Sequence, residues 1–571
     1  MRPRYSLAGL ALAASVAASP LLARDNGGSA LNCSGLYDSL PKLLSNLTIY
    51  NATSIAAGYN FTPGVDTTAA QAIAYPTYAP NLPQFCRVAA SIKTSNMSSV
   101  YFEVWLPNRT HWNSQMNMAG NGGDAGGVDY STLGVWMRDY GFATTGTNTG
   151  HYGNAGNGTF ALNNPESQID FGYRAVHLTT VYAKKIIKAY YGESAAHSYF
   201  LGCSSGGKQG LKEVQMFPQD YDGVLAGAAA QWWPHLNGYT YYVNAFVNAV
   251  NSSGYLNSTQ YKTINDYVIA QCDGQDGVYD RIVDNPYACA RSLNYEGLLC
   301  SQRNANQSSC LTDAQLKTFE SVTSNWTKPD GEFLFPGFTV SSTTSTFSVN
   351  GNPFGPAPAY FAYQVKNYTN SSIQYSPATV ADLVEDVYIG DITDPGQTNA
   401  INSSISRYLS RGKLITYVGL ADYLIPTGST LFYRQRVLDT LGYDPRDAFR
   451  TYAIPGMGHC AGGRSAYSFG GANQVSLSQG GQGQSLEFTP EYNMVLALRQ
   501  WVEKGTAPES IIGAYYPKNK TVRRATPTLL TLQAGAEFTR RLCPLPQAAK
   551  YTGGDQNNAT SYTCEGTVRY F

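Results

Sequence analysis

Apolar and polar positions alternate with period two from Met97 to Leu106 (Met-Ser-Ser-Val-Tyr-Phe-Glu-Val-Trp-Leu), which predicts a strand. The period lengthens over 175–190. There Val176, Ala183, Ile187 and Tyr190 share one stripe, while Lys184, Lys185 and Lys188 fall in solvent, so a helix is predicted that stops before Gly192. A short apolar strand over 198–202, a helix over 206–217 and a strand over 222–226 follow. Strand, helix and strand in succession require a parallel sheet. From about 235 to 405 this rhythm is lost, and Pro/Gly/Ser-rich stretches such as 335–358 appear. It returns with strands at 413–418 and 448–453. A helix over 489–504 follows, opened by Thr489-Pro490 and closed by Gly505, with Val495, Leu498, Trp501 and Val502 inward. The return predicts one α/β domain, 25–234 plus 406–571, split by an insertion, 235–405. Two unrelated domains in series are the alternative.

The chain begins with a basic head, Met1-Arg2-Pro3-Arg4, an apolar stretch from Ser6 to Ala18, and then small residues. This predicts a secretory signal over 1–18, cleaved between 18 and 23, too short to span a bilayer. No later stretch is long and apolar enough to do so. Composition changes the picture in one respect. The 571 residues carry 39 basic and 39 acidic side chains, and only 14% are charged, against a usual ~25%. Without a basic excess, nucleic acid is excluded as a partner. With 43% hydrophobic residues, a large core replaces disorder. The length alone suggests about three or four domains, which one enzyme with a long insertion also satisfies. A surface polar without charge fits export, as do the glycosylation sequons, among them Asn46, Asn96, Asn157, Asn257, Asn402, Asn519 and Asn558. Ten cysteines, an even number, are expected to pair in an oxidising compartment.

Candidate chemistry starts at Gly202-Cys203-Ser204-Ser205-Gly206. Gly-x-Ser-x-Gly arises by chance in a glycine-rich chain, but here it lies between a predicted strand and a predicted helix. A sharp turn there lifts the Ser204 hydroxyl above the sheet edge as a nucleophile. A base must follow, and only His235 and His459 lie after Ser204. His459, in Pro455-Gly456-Met457-Gly458-His459-Cys460, sits just past a strand, where a base is best carried. The strand 413–418 leads to Asp422, the orienting acid; a turn aspartate capping its own backbone is the alternative reading. Cys203 adjoins Ser204 and Cys460 adjoins His459, so if nucleophile and base meet, a disulfide can staple them. The oxyanion needs two backbone N–H donors. Ser205 is one; the loop Ala119-Gly120-Asn121-Gly122-Gly123-Asp124-Ala125-Gly126-Gly127 should give the other, from Gly123 or Asp124. A phosphate-binding loop is excluded there, because no Gly-Lys-Ser/Thr follows.

Within the insertion, Asp273-Gly274-Gln275-Asp276-Gly277-Val278-Tyr279-Asp280-Arg281-Ile282 sets three carboxylates in one tight loop. Hard oxygens without His or Cys suit Ca²⁺, and the backbone carbonyls of Val278 and Ile282 can fill the shell. A solvated acidic turn is the alternative. Cys272 and Cys289 bracket the loop.

At these residues the chain resembles the fungal tannase and feruloyl esterase family over nearly its whole mature length. The resemblance rests on Cys203-Ser204, Asp422, His459-Cys460, the acidic loop, and Asp170-Phe171-Gly172-Tyr173-Arg174 before a helix. The stretch 206–213 with Phe217-Pro218 is more similar to the feruloyl esterase B branch. The resemblance implies an α/β-hydrolase fold with a large inserted lid domain over the pocket, and Ser204, Asp422 and His459 as triad. It implies Asp273, Asp276, Val278, Asp280 and Ile282 as ligands of a structural calcium, and pairs Cys203 with Cys460 and Cys272 with Cys289. Sequence order suggests Cys33–Cys86, Cys300–Cys310 and Cys543–Cys564 for the rest. Asp124 departs from the pattern, standing where an apolar residue is expected. The implied activity is secreted hydrolysis of feruloyl-type esters of plant cell-wall polysaccharide, with an aromatic acid ester as substrate. Tannase, cleaving galloyl esters, is the near alternative, and a non-catalytic secreted glycan-binding protein the distant one. Oligomeric state is left open.

Overall fold

The computed structural model describes residues 30–62, 74–303, 310–344, 349–353, 355–472, 474, 484–517 and 535–570. The predicted signal and the sequon at Asn519 lie outside them. Nine strands form one sheet: β1 (Leu47–Ile55), β2 (Phe85–Lys93), β3 (Ser99–Pro107), β4 (Gln115–Ala119), β5 (Ala143–Thr147), β6 (His197–Cys203), β7 (Gly223–Gly227), β8 (Lys413–Gly419) and β9 (Phe449–Ile454). Their spatial order is β1-β2-β3-β5-β4-β6-β7-β8-β9. The pairs from β1 to β5 are antiparallel, and every pair from β5 to β9 is parallel. Strand β4 is followed in sequence by β5 on one side, whereas β6 lies on its other side. The chain therefore reverses its winding between β4 and β6, and a crevice opens outside their carboxyl ends.

The parallel strands are buried on both faces: Ala143–Thr147 and Gly223–Gly227 are buried throughout. Helices cover the sheet: α1 (Tyr130–Tyr140), α2 (Ala175–Tyr191), α3 (Ser205–Met216), α4 (Gly428–Leu441) and α5 (Met494–Lys504). The expected strands and helices of the parallel half are all present, with two local differences. Helix α5 starts at Met494 rather than Thr489, because Asn493 is the stronger cap: its side chain accepts the Leu496 N–H at 3.1 Å, while 489–493 stay a turn. On α2, Tyr191 rather than Tyr190 is the buried tyrosine. Lys184 is not free in solvent but donates to the backbone oxygen of Asp220.

A second hydrophobic core gathers residues mostly between Ala230 and Val387, including Tyr239, Ile264, Phe319, Phe335, Tyr360 and Leu383. It also takes Ala161 and Phe171 from before position 235 and Ile425 from after 405, so the insertion is seated on the sheet domain. All five expected disulfides are formed: Cys33–Cys86, Cys203–Cys460, Cys272–Cys289, Cys300–Cys310 and Cys543–Cys564. Among the described residues, no helix is long and apolar enough to cross a membrane.

Candidate active site

Four loops reach the crevice from the carboxyl ends of β4, β6, β8 and β9. Ser204 occupies the turn between β6 and α3 with φ 65° and ψ −126°, a backbone conformation that an L-residue holds only where its surroundings enforce it. Close backbone packing does so. A Cβ on Gly202 would lie 2.6 Å from the Gly206 carbonyl carbon, and one on Gly120 would lie 2.7 Å from Gly206 Cα. Only glycines let the loop after β4 rest on the Ser204 turn. The Ser204 N–H is tied to Gly227 O at 2.9 Å.

Strand β8 delivers Asp422, which is fully buried. Its Oδ1 accepts the Leu424 and Ile425 N–H groups at 2.8 and 3.0 Å, and its Oδ2 accepts His459 Nδ1–H at 2.9 Å. One oxygen thus caps the turn and the other meets the imidazole. Strand β9 delivers His459, whose Nε2 makes no hydrogen bond among the described residues. The Cys203–Cys460 bridge joins residues 257 apart in sequence and holds their Cα atoms at 6.0 Å, which sets Ser204 and His459 beside one linkage. No hydrogen bond from Ser204 Oγ to His459 is formed among the described residues. The other histidine after Ser204, His235, is buried with both nitrogens engaged, by Leu334 O and Asp391 Oδ2, each at 2.6 Å.

Of the oxyanion donors, the Ser205 N–H lies in the first turn of α3 and has no acceptor among the described residues. Gly123 likewise keeps its N–H uncommitted. Asp124 does not serve: its N–H donates to Ala155 O at 2.9 Å. Gly122 donates to the Tyr75 hydroxyl at 2.7 Å. The carboxylate of Asp124 is buried without a hydrogen bond, as is Lys208 Nζ one helical turn past Ser204. Burial pushes Asp124 up and Lys208 down, and each charge resists the other's shift. The ammonium rests on the rings of Trp233 and Phe171, at 3.8 and 4.3 Å from their centroids. Trp233 is thus packing, and Trp232 stacks on His235 and Phe432. His151 clamps the same loop, donating from Nε2 to Asp124 O at 2.7 Å, and burial pulls its pKa down to about 4. Sequence reasoning missed Lys208, His151 and Tyr75. A lysine four residues after a candidate nucleophile was the one signal available.

The acidic loop folds around Asp273, whose Oδ1 accepts the N–H groups of Asp280, Arg281 and Ile282. The carbonyls of Val278 and Ile282 accept no hydrogen bond among the described residues. Asp276, Asp280 and the unforeseen Asp284 crowd together. Asp284 is pushed up to about 7 by burial, then by Asp276 and Asp280. Oxygen donors alone, two idle carbonyls and mutually repelling carboxylates fit a hard divalent cation. Arg540 meets part of the charge through Asp280.

Comparison with known proteins places this arrangement. The sequence model described as "Tannase and feruloyl esterase" matches residues 86–565. "Probable feruloyl esterase B-1" of Neosartorya fischeri is 35% identical over 488 residues, 84% of this chain and 86% of that one. Its namesake in Aspergillus oryzae is 33% identical, over 91% of each. A crystal structure of feruloyl esterase B from Aspergillus oryzae superposes with a TM-score of 0.80 at 31% identity, covering 93% of this chain and 99% of that one. Tannin acyl hydrolase from Aspergillus niger shares the fold, with a TM-score of 0.68 at 21% identity, covering 94% and 96%. The protein is a carboxylic ester hydrolase. The chain belongs to the tannase and feruloyl esterase family.

Proposed function

We propose that the protein is a secreted serine esterase that hydrolyses hydroxycinnamoyl, feruloyl-type esters of plant cell-wall polysaccharide. The observation that carries this reading is the His459–Asp422 pair tied by Cys203–Cys460 to the strained Ser204 turn. The strand order and the turn after β6 support an α/β-hydrolase fold, with the second core as a lid domain, 235–405, over the crevice. His459 takes the Ser204 proton as Oγ attacks the ester carbonyl. Asp422 holds the tautomer and stabilises the imidazolium. The Ser205 and Gly123 N–H groups receive the oxyanion. His459 then protonates the leaving alcohol, and water, activated by the same imidazole, releases the aromatic acid. Asp273, Asp276, Asp280 and the Val278 and Ile282 carbonyls would hold a calcium ion, which would neutralise the crowded carboxylates of that loop. Feruloyl esters are favoured over galloyl esters by the identity to proteins named feruloyl esterase B, which exceeds that to the tannin acyl hydrolase.

The test is hydrolysis of methyl ferulate, methyl caffeate and methyl gallate by the parent and Ser204→Ala. The parent should prefer the first two, and the variant should lose all measurable turnover. Retained activity sinks the triad, and a preference for gallate selects tannase. Stoichiometric labelling of Ser204 by an organophosphonate is expected; an inert serine would leave the glycan-binding alternative.

A further inference from the structure

His177 from α2, Glu213 from the last turns of α3 and Asp220 from the turn entering β7 bring ligand atoms within 4.8 Å of one another. This cluster is remote from the chemistry. Glu213 lies nine residues along the helix from Ser204, about 13 Å at the usual rise. Glu213 is 1% exposed, and neither of its carboxylate oxygens accepts a hydrogen bond among the described residues. What it faces is the Asp220 carboxylate, and burial and that like charge push its pKa up. His177 Nδ1 is 2.7 Å from Asp220 Oδ2, and its ring lies flat on Phe217, with centroids 3.6 Å apart and planes 10° from parallel. The imidazole orientation is therefore fixed.

Two facing carboxylates need either a shared proton or a cation between them. A shared proton is the rival occupant, since Asp220 can accept from His177 on one oxygen and from a protonated Glu213 on the other. A divalent ion takes all three groups at once. We propose that His177, Glu213 and Asp220 form a second metal site, for a transition-metal dication of the Zn²⁺ type. One imidazole and two carboxylates suit zinc, whereas calcium takes six to eight oxygens. Tetrahedral zinc with bonds of ~2.0–2.1 Å sets its ligand atoms roughly 3.3 Å apart, so pairs at the 4.8 Å limit close by up to about 1.5 Å, while His177 Nδ1 and Asp220 Oδ2, now 2.7 Å apart, open by about 0.6 Å. The side chains of His177 and Asp220 keep 26% and 13% exposure, which leaves an entry path and a position for water. Lys184 is the opposing charge. It faces Glu213 and Asp220, yet it donates to the Asp220 backbone oxygen and to neither carboxylate. Arg411, the other nearby cation, is paired with Asp222. Bound metal would fasten the far end of the nucleophile helix to α2 and to the turn before β7.

The experiment uses the full-length enzyme, stripped with a chelator and returned to saturating Ca²⁺, then titrated with ZnCl₂. One further equivalent should bind and raise Tm, with kcat unchanged. In Glu213→Gln, which mimics the protonated carboxyl in shape, the Zn²⁺ dissociation constant should rise by more than about 100-fold, beyond the 10–100-fold typical of outer-shell changes. Its metal-free Tm should stay at or above the parent's. Lys184→Met should tighten Zn²⁺. No extra equivalent in the parent, or a Zn²⁺ shift equal in parent and Glu213→Gln, overturns the site and leaves the shared proton. Lys184→Met weakening Zn²⁺ would count equally against it.

Discussion

Asp422 divides its two oxygens between the backbone of its own turn and the base, and that division makes the residue testable. Asp422→Asn keeps an acceptor for Leu424 and Ile425 N–H but can present an NH₂ to His459, which then carries its proton on the wrong nitrogen. A fall in kcat of about 10³–10⁴-fold is expected with little loss of stability, measured by steady-state turnover and urea unfolding on the same preparation. An equal loss in both would make the residue structural only. Glu103 is the reverse case, a buried carboxylate remote from the chemistry. It accepts from Arg87 at 2.8 and 2.6 Å, and from the side chains of Tyr101, Trp105 and Tyr130. Burial alone would raise its pKa, but Arg87 and these donors outweigh it and hold it low. Glu103→Gln leaves the Arg87 charge buried and unpaired, so roughly 3–5 kcal/mol should be lost at pH 7. The folded carboxyl titrates below its unfolded value of about 4.3, so its contribution is full above that pH. It is lost as pH falls through the depressed value. The gap between parent and variant should therefore narrow in acid, which urea titrations at pH 7 and pH 3.5 would show.

At the scale of elements, the loop after β4 is set by His151 as much as by its glycines. The imidazole is pulled to about 4 by burial, partly offset by its hydrogen bonds to Asp124 and Thr149. The unfolded chain binds this proton near pH 6.5 and the native protein only near 4. Stability should thus fall as pH drops through that window, by up to about 3 kcal/mol, and level off below it. His151→Gln can still donate to Asp124 O and should flatten this part of the stability–pH curve; an unchanged slope would exonerate the histidine. In the parallel half, β4 and β5 escaped because Gln, Asn and Thr interrupt their apolar pattern, as did helices α1 and α4, whereas β6 to β9 were legible as short strands set beside amphipathic helices. The antiparallel strands β1 and β2 were not. β1 mixes buried and exposed positions without strict alternation, and β2 is buried at every position but the last, so neither shows the two-residue period. Ser204, Asp422 and His459 could be placed because each follows a strand, and their bridging cysteines because they adjoin two of them. Asp124 was misjudged as a donor because the partner of a loop N–H, here Ala155 O, is a matter of tertiary packing. Lys208 escaped for the same reason, since Asp124, Phe171 and Trp233 are distant in sequence, whereas Asp284 escaped because only its burial beside Asp276 and Asp280 marks it out.

Across the whole molecule, the acidic loop of the insertion is seated against the loop that carries His459. Arg464 Nε donates to Asp280 O at 2.6 Å, and Ile282 packs with Ala466 and Phe538. A Cβ on Gly456 would lie 3.1 Å from the Ile282 side chain. His459 lies between Gly456 and Arg464, so the fold of the acidic loop is transmitted to both flanks of the base. If calcium holds that loop together, its removal should act on catalysis as well as stability. Binding to the native state alone stabilises by about 2.7 kcal/mol at a calcium concentration a hundredfold above Kd. Chelation should therefore lower Tm and kcat together, and Ca²⁺ should restore both where Mg²⁺, which demands octahedral geometry, does not. Asp276→Asn should reproduce the chelated state and no longer respond to chelator. A fall in Tm with kcat intact would keep the ion but sever it from the base. No change in either would leave Asp273, Asp276 and Asp280 a solvated turn, and the insertion would then owe its attachment to the second core and to hydrogen bonds such as those of Thr339 and Ser341 to Leu420 O.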